Sequence, residues 1–310
     1  MTSLLDKRLI YVTGKGGVGK TTVAAALGLL AVRQGKRTIV CEVAEQERIS
    51  TTFGIGPVGY EETEVAPGLS AISMDPERAK QEWLRYQLPS GTLARVLGHS
   101  RIFQYLSAAA PGLNELVTIG KLWELAQLQR KTAAASPYDL VIVDAPASGH
   151  GLAMLRAPLT YADVARVGPI RRQALKIHSF LVDTAATGVL VVALPEEMPV
   201  NETLELGGRL REEMDISIHA IVVNALYPQR FTADEAQAME SLDGRGSAAA
   251  RAALRAALTE HHWARSQRAQ LRRLRRRAGA DVATLPYLFE PELVGDDLER
   301  LSLELEKKLS

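Results

Sequence analysis

Residues 9–22 constrain this chain more than any other stretch. Leu9-Ile10-Tyr11-Val12-Thr13 is an apolar run of strand length that stops at Gly14-Lys15-Gly16-Gly17-Val18-Gly19. Lys20-Thr21-Thr22 then opens an alanine- and leucine-rich stretch of strong helix propensity, which Gly35 ends before the next apolar run at 37–43. Strand, glycine loop, helix and second strand make a βαβ unit, and a βαβ unit demands a parallel sheet. Further apolar runs at 69–74, 140–143, 187–193, 216–223 and 281–285, most of them separated by helix-length segments, predict an α/β fold. Its frame is a doubly wound, mostly parallel sheet of about seven strands.

The segment 76–132 lacks strand character. It carries Trp83, Tyr86, Leu93, Val96, Leu97, Ile102, Phe103, Tyr105, Leu106, Leu116, Ile119, Leu122 and Leu125, and is expected to be all-helical. A second helical block at 151–185 is expected to join it beyond the carboxyl ends of the strands, and 245–278 reads as a long, arginine-studded helix. Residues 1–310 are thus read as one domain with helical insertions at about 76–132 and 151–185, and a 46% hydrophobic content supports a sizeable core.

Composition narrows the function. With 37 basic and 36 acidic residues the formal charge is +1, so no global field draws the chain to nucleic acid or anionic lipid. Seven arginines fall between Arg265 and Arg277 without interleaved aromatics. Trp263, Leu271 and Leu274 are spaced for one apolar side, so this is read as an amphipathic helix with a solvated basic face, which disfavours nucleic acid as a partner. Cys41 is the single cysteine and excludes an internal disulfide or cysteine cluster. The N-terminus has no apolar signal core and no apolar run is long enough to span a bilayer, so a soluble cytoplasmic protein is expected, with membrane contact at most indirect. His261 and His262 are adjacent, face different ways on a helix and make a poor metal pair.

Gly14 to Thr22 satisfies G-x-x-x-x-G-K-[ST] between a strand and a helix, where that pattern has physical meaning. Gly14, Gly16, Gly17, Val18 and Gly19 let backbone N–H groups turn inward round a phosphate, and the helix N-terminus adds its positive end. Lys20 reaches the β- and γ-oxygens, while Thr21, followed by Thr22, offers a hydroxyl to Mg²⁺. Asp144 ends the run Leu140-Val141-Ile142-Val143, the Walker B position, where a carboxylate holds Mg²⁺ through its water shell. Residues 145–150 read as a loop with a glycine hinge suited to sensing a γ-phosphate.

The spelling K-G-G-V-G-K-T-T at 15–22 resembles the deviant Walker A class shared by ParA, MinD, nitrogenase iron protein and ArsA-type ATPases. In that class the first lysine, here Lys15, acts across a dimer, as an arginine finger does. The match sharpens to the ArsA family, which includes the arsenical-pump and tail-anchored-protein-targeting ATPases, and covers about residues 8–305. Asp144-Ala145-Pro146-Ala147-Ser148-Gly149-His150 is similar to its D-T-A-P-T-G-H motif and Pro111-Gly112-Leu113-Asn114-Glu115 to its P-G-x-x-E. Pro195-Glu196 with Glu202-Thr203 is similar to its P-E…E-T, and Leu285-Pro286-Tyr287-Leu288 to its base-closing loop.

The resemblance implies an ATPase that uses ATP or ADP with Mg²⁺. Asn224 would read adenine, Pro286 would lie near the base, and Glu196 would approach nucleotide, in its own subunit or from a partner. It further implies a homodimer, or a heterodimer with a related ATPase subunit, coupling nucleotide state to an unknown protein client. The aliphatic 83–128 stretch is read either as packing against the core or as a client groove. Two departures matter. Ala44 stands where the family has its water-positioning aspartate, with Glu42, Glu45 and Glu47 nearby but off register, so weak hydrolysis is expected. The family's paired cysteines are also missing, which argues against an arsenite site and a bridging zinc. The alternatives are a non-hydrolysing, nucleotide-dependent binding subunit and a ParA-like DNA-partition ATPase.

Overall fold

The computed structural model describes residues 3–43, 47–87, 112–131, 136–165, 167–242, 246–290 and 293–309. Eight strands form one sheet: β1 (Leu9–Thr13), β2 (Thr38–Glu42), β3 (Thr63–Ala66), β4 (Leu69–Ser73), β5 (Leu140–Asp144), β6 (Thr187–Ala193), β7 (Ile218–Leu226) and β8 (Asp281–Pro286). Their order is β3-β4-β2-β5-β1-β6-β7-β8, with every pairing parallel except β3 with β4. The α/β reading therefore holds, with one strand more than expected. That strand, β3, is short and half polar. Its signal was the Pro67-Gly68 pair, whose Gly68 takes φ 76° and turns the chain back so that Ala66 pairs with Leu69.

Helices of the described residues are α1 (Lys20–Arg33), α2 (Arg48–Thr52), α3 (Pro76–Gln87), α4 (Leu113–Leu125), α5 (Ser148–Ala165), α6 (Pro169–Val182), α7 (Glu197–Met214), α8 (Ala233–Ser241), α9 (Ala248–Arg277) and α10 (Gly295–Leu309). Central strands are buried on both sides, as the continuous apolar runs require. Alternation then divides their residues. Leu9, Tyr11, Ile39, Cys41, Val141 and Val143 meet α4 to α7 and the second half of α9 on one face. Ile10, Val12, Val40, Leu140 and Ile142 meet α1 and α10 on the other. Gly28 lets α1 lie close: a Cβ there would come within 2.9 Å of Leu69 Cδ1.

Three expectations are corrected. The helical blocks do not merely stand beyond the strand ends, because Ile119, Leu122, Leu152, Leu155, Ile177 and Leu181 pack on the sheet itself. Burial of a whole apolar sheet face requires such a cover. Helix α5 begins at Ser148 rather than at 151, so Gly149 and His150 lie in its first turn and not in a loop. On α9, Leu271 and Leu274 are buried but Trp263 is 56% exposed, since the part of the helix before Ala264 runs clear of the core. Trp263 meets Tyr227 edge-on instead, with ring centroids 5.7 Å apart. Within 76–132 the described residues form α3 and α4, while Leu93, Val96, Leu97, Ile102, Phe103, Tyr105 and Leu106 lie outside the described residues, as do Ala44, Glu45 and Pro111.

Candidate functional site

Strand β1 sits between β5 and β6; from β1 the chain crosses to β2 on one side, whereas from β5 it crosses to β6 on the other. The helix after β1 covers one face and the helix after β5 the other, so a crevice opens at the carboxyl ends of these two strands. The glycine loop turns within this crevice. Gly14 has φ 144°, and a Cβ there would lie 2.2 Å from the Val192 carbonyl oxygen. Gly19 has φ 89°, and its Cβ would lie 2.3 Å from Asn224 Nδ2. Both the handedness and the space at these two positions require glycine.

Round this loop the structure gathers several of the residues expected at the site. Thr21 Oγ1 donates to Asp144 Oδ2 at 2.6 Å, joining the first turn of α1 to the end of β5. Lys20 Nζ donates to the Lys15 carbonyl at 3.0 Å. Burial pushes the Lys20 ammonium below its ordinary value, opposed by the nearby Asp144 charge. The Asp144 carboxyl is pushed up to about 6, first by burial and further by Glu42, although the Thr21 hydroxyl and Lys20 pull it down. Its Oδ1 and the Thr13 Oγ1 are buried with no hydrogen-bond partner among the described residues. Ser148 N–H donates to the Gly14 carbonyl at 3.1 Å, so the start of α5 is tied to the loop.

Asn224, at the end of β7, reaches the loop, but its amide is already engaged: Nδ2 donates to the Val18 carbonyl at 3.0 Å and Oδ1 accepts from Ala225 N–H at 2.9 Å. Glu196 caps α7 by backbone only and is exposed. Pro286 ends β8 opposite Leu226. Both stand on the same edge of the sheet as the loop, without a hydrogen bond to it among the described residues. Gly16, Gly17 and Thr22 complete the turn and the first helical residues. Cys41 lies fully buried in β2, its thiol pushed up by burial, as a small apolar residue would be placed.

Three side chains near the loop were not assigned roles from sequence. Glu202 on α7 pairs with Lys15 at 2.7 Å, both about a third exposed. Glu42 lies in register with Asp144, and its two oxygens accept from Arg48 and Ile49 N–H, each at 3.1 Å, at the start of α2. Thr13 could have been found: it is a polar residue closing an otherwise apolar strand directly before the glycine loop. Glu42 could not, because its backbone partners come from a helix only five residues long.

A mostly parallel sheet whose first strand turns through such a loop into a helix, with a carboxylate ending the adjacent strand, defines the P-loop class of α/β proteins. The chain belongs to the ArsA family, described as anion-transporting ATPases, whose model matches residues 7–175 and 165–245. It is 31% identical over 227 residues to ATPase BagA of Mycobacterium tuberculosis, which covers 71% of this chain and 66% of that protein. It is 24% identical over 276 residues to ATPase GET3C of Arabidopsis thaliana, covering 74% and 69%. A putative arsenical pump-driving ATPase of Halobacterium salinarum is 25% identical over 245 residues, covering 73% of this chain and 36% of that protein. The chain thus spans just under two thirds of the mycobacterial relative. No helix of the described residues is long and apolar enough to cross a membrane.

Proposed function

We propose that this chain is a cytoplasmic ATP-binding subunit, one domain over residues 1–310, that dimerises round nucleotide and couples its nucleotide state to a protein client. The observation that carries this reading is the Thr21–Asp144 contact at 2.6 Å beside the orphaned Asp144 Oδ1. A buried carboxylate with one oxygen unpartnered and a hydroxyl at its other oxygen is the donor set that Mg²⁺ with its water shell fits. When bound, the cation would offset charge on the β- and γ-phosphates. The loop amides and the α1 N-terminus would hold the phosphate chain, and Lys20 would exchange its bond to the Lys15 carbonyl for phosphate oxygens. Asn224 would exchange Val18 for the base, with Pro286 beside it and Glu196 at the rim. Lys15 must leave Glu202 before it can serve a partner's nucleotide.

Slow hydrolysis follows from Glu42 as well as from Ala44. The Glu42 carboxylate lies in register with Asp144, and each of its oxygens accepts from an α2 N–H group, which aims it at that helix and leaves only its remaining lone pairs for water. This favours, as a second reading, a binding subunit that works with a hydrolytically competent relative. Calorimetry of ATP with Mg²⁺ tests the main reading: Lys20→Ala should weaken binding at least about 100-fold, by loss of charge-assisted bonds to phosphate, and unchanged binding would remove the nucleotide assignment. Turnover of about 1 s⁻¹ or faster in the isolated chain would show that no partner is needed.

A further inference from the structure

The arginine-rich part of α9 does not present one uniform solvated face. His261, Arg265, Arg268 and Arg272 follow one another at spacings of four, three and four residues, which puts them on one side of the helix. That side faces the segment 228–233 leaving β7, and between them is a cavity of about 330 Å³. Arg230 closes it from the opposite wall. Its guanidinium lies 4.9 Å from the Phe289 ring centroid, and its Nε forms an ion pair with Glu260 Oε1 at 3.0 Å without a hydrogen bond between them. The wall is fixed to the helix by Tyr227 N–H, which donates to Gln267 Oε1 at 2.8 Å.

The charge in this cavity is one-sided. Four arginines line it, and among the described residues Glu260, already paired with Arg230, is the one carboxylate that does. Arg265 and Arg272 make no ion pair among the described residues. By contrast, Arg273 on the same helix turns away to Asn201, and Arg276 and Arg277 are exposed outside the cavity. Concentrating like charges in a concavity is unfavourable unless an anion offsets them, and several guanidiniums together match the multiple charged oxygens of linked phosphate groups.

We propose that this cavity binds a compact anion carrying two or more phosphate groups, at a site separate from the glycine loop. Its volume is that of a small-molecule site rather than of a polymer track. The segment that forms one wall begins four residues after Asn224, so occupancy here would bear directly on the end of β7.

Tripolyphosphate titrated calorimetrically into the full-length Lys20→Ala protein, in which the glycine loop contributes least, tests the proposal. One ion per chain should bind. Arg265→Gln/Arg272→Gln, both exposed and free of ion pairs among the described residues, should weaken binding at least about ten-fold, while Arg276→Gln/Arg277→Gln should leave it unchanged. Citrate, of similar charge, should bind at least about ten-fold more weakly than tripolyphosphate. Absence of binding, or equal weakening by the two arginine pairs, overturns the site. Equal affinity for citrate overturns its phosphate chemistry, and a single-stranded oligonucleotide binding far more tightly than tripolyphosphate overturns the compact-ligand assignment.

Discussion

Two groups of charges among the described residues have opposite surroundings. On the outer side of the sheet, Arg130 makes a two-pronged contact with Glu62 at 2.6 and 2.7 Å and reaches Glu124 at 3.3 Å. Lys121 joins Glu82 at 2.8 Å and Glu124 at 3.2 Å, while the Tyr60 and Tyr138 hydroxyls donate to Glu82 and Glu62. Every carboxylate there has a cation. Burial alone would raise the Glu62 and Glu124 carboxyls, yet Arg130 and Lys121 outweigh it and hold both below the ordinary range. At the glycine loop the balance falls the other way: Asp144 is buried more deeply than Glu62, keeps an unpartnered oxygen, and is raised to about 6. The paired network joins α3, α4 and β3 to each other. The unpaired carboxylate is destabilised, and such a group persists where a ligand is to complete it.

This contrast can be broken most forcefully at Arg130, whose side chain is 1% exposed. Arg130→Ala should cost about 3 kcal/mol of stability in denaturant unfolding, because it leaves the partly exposed Glu62 without its cation and Glu124 with Lys121 alone. A loss below about 1 kcal/mol would place the network among ordinary surface pairs.

Asp144→Asn should act in the other direction. It should stabilise the ligand-free chain by about 1–3 kcal/mol at neutral pH, since a carboxyl raised from 3.8 to about 6 destabilises the fold once ionised. The gain should shrink as pH falls from 6 toward 4, where the wild-type carboxyl is protonated in the fold. The same variant should lose the Mg²⁺-dependent part of nucleotide affinity. A destabilised Asp144→Asn protein at neutral pH would show that the ionised form is already satisfied.

Acid titration sharpens the comparison at smaller scale. Glu62 and Glu124 are depressed, so their contribution is present above the ordinary carboxylate value of 4.5 and lost as pH falls through their lower folded values. Stability should therefore fall below about pH 4.5 in the wild type, and less steeply in Glu62→Gln/Glu124→Gln. Equal slopes would assign the acid sensitivity elsewhere. The smallest effect is expected at Glu202→Gln: less than about 1 kcal/mol in stability, because the Lys15–Glu202 pair is a third exposed. Release of Lys15 should tighten nucleotide-dependent dimerisation by up to about five-fold in sedimentation. Weaker dimerisation would mean that Glu202 itself contacts the partner.

The sheet and its loop were legible because each rests on local pattern. Apolar runs of strand length mark seven of the eight strands, and the glycine spelling at 14–22 between a strand and a helix has one physical use. Asp144 was legible for the same reason, as the polar end of an apolar run. What sequence could not supply were contacts whose partners lie far along the chain. Lys15 meets Glu202 across 187 residues, Asn224 meets Val18 across 206 and Arg130 meets Glu62 across 68. Trp263 was misplaced because its spacing fits an apolar stripe that the core, ending near Ala264, does not reach. The sequence by itself determined the parallel frame, the glycine loop and the acid beside it, since backbone handedness and side-chain alternation act over a few residues. Only the tertiary structure decided which buried charges are paired and which are left open, because that depends on the groups that helices from distant parts of the chain bring to the same place.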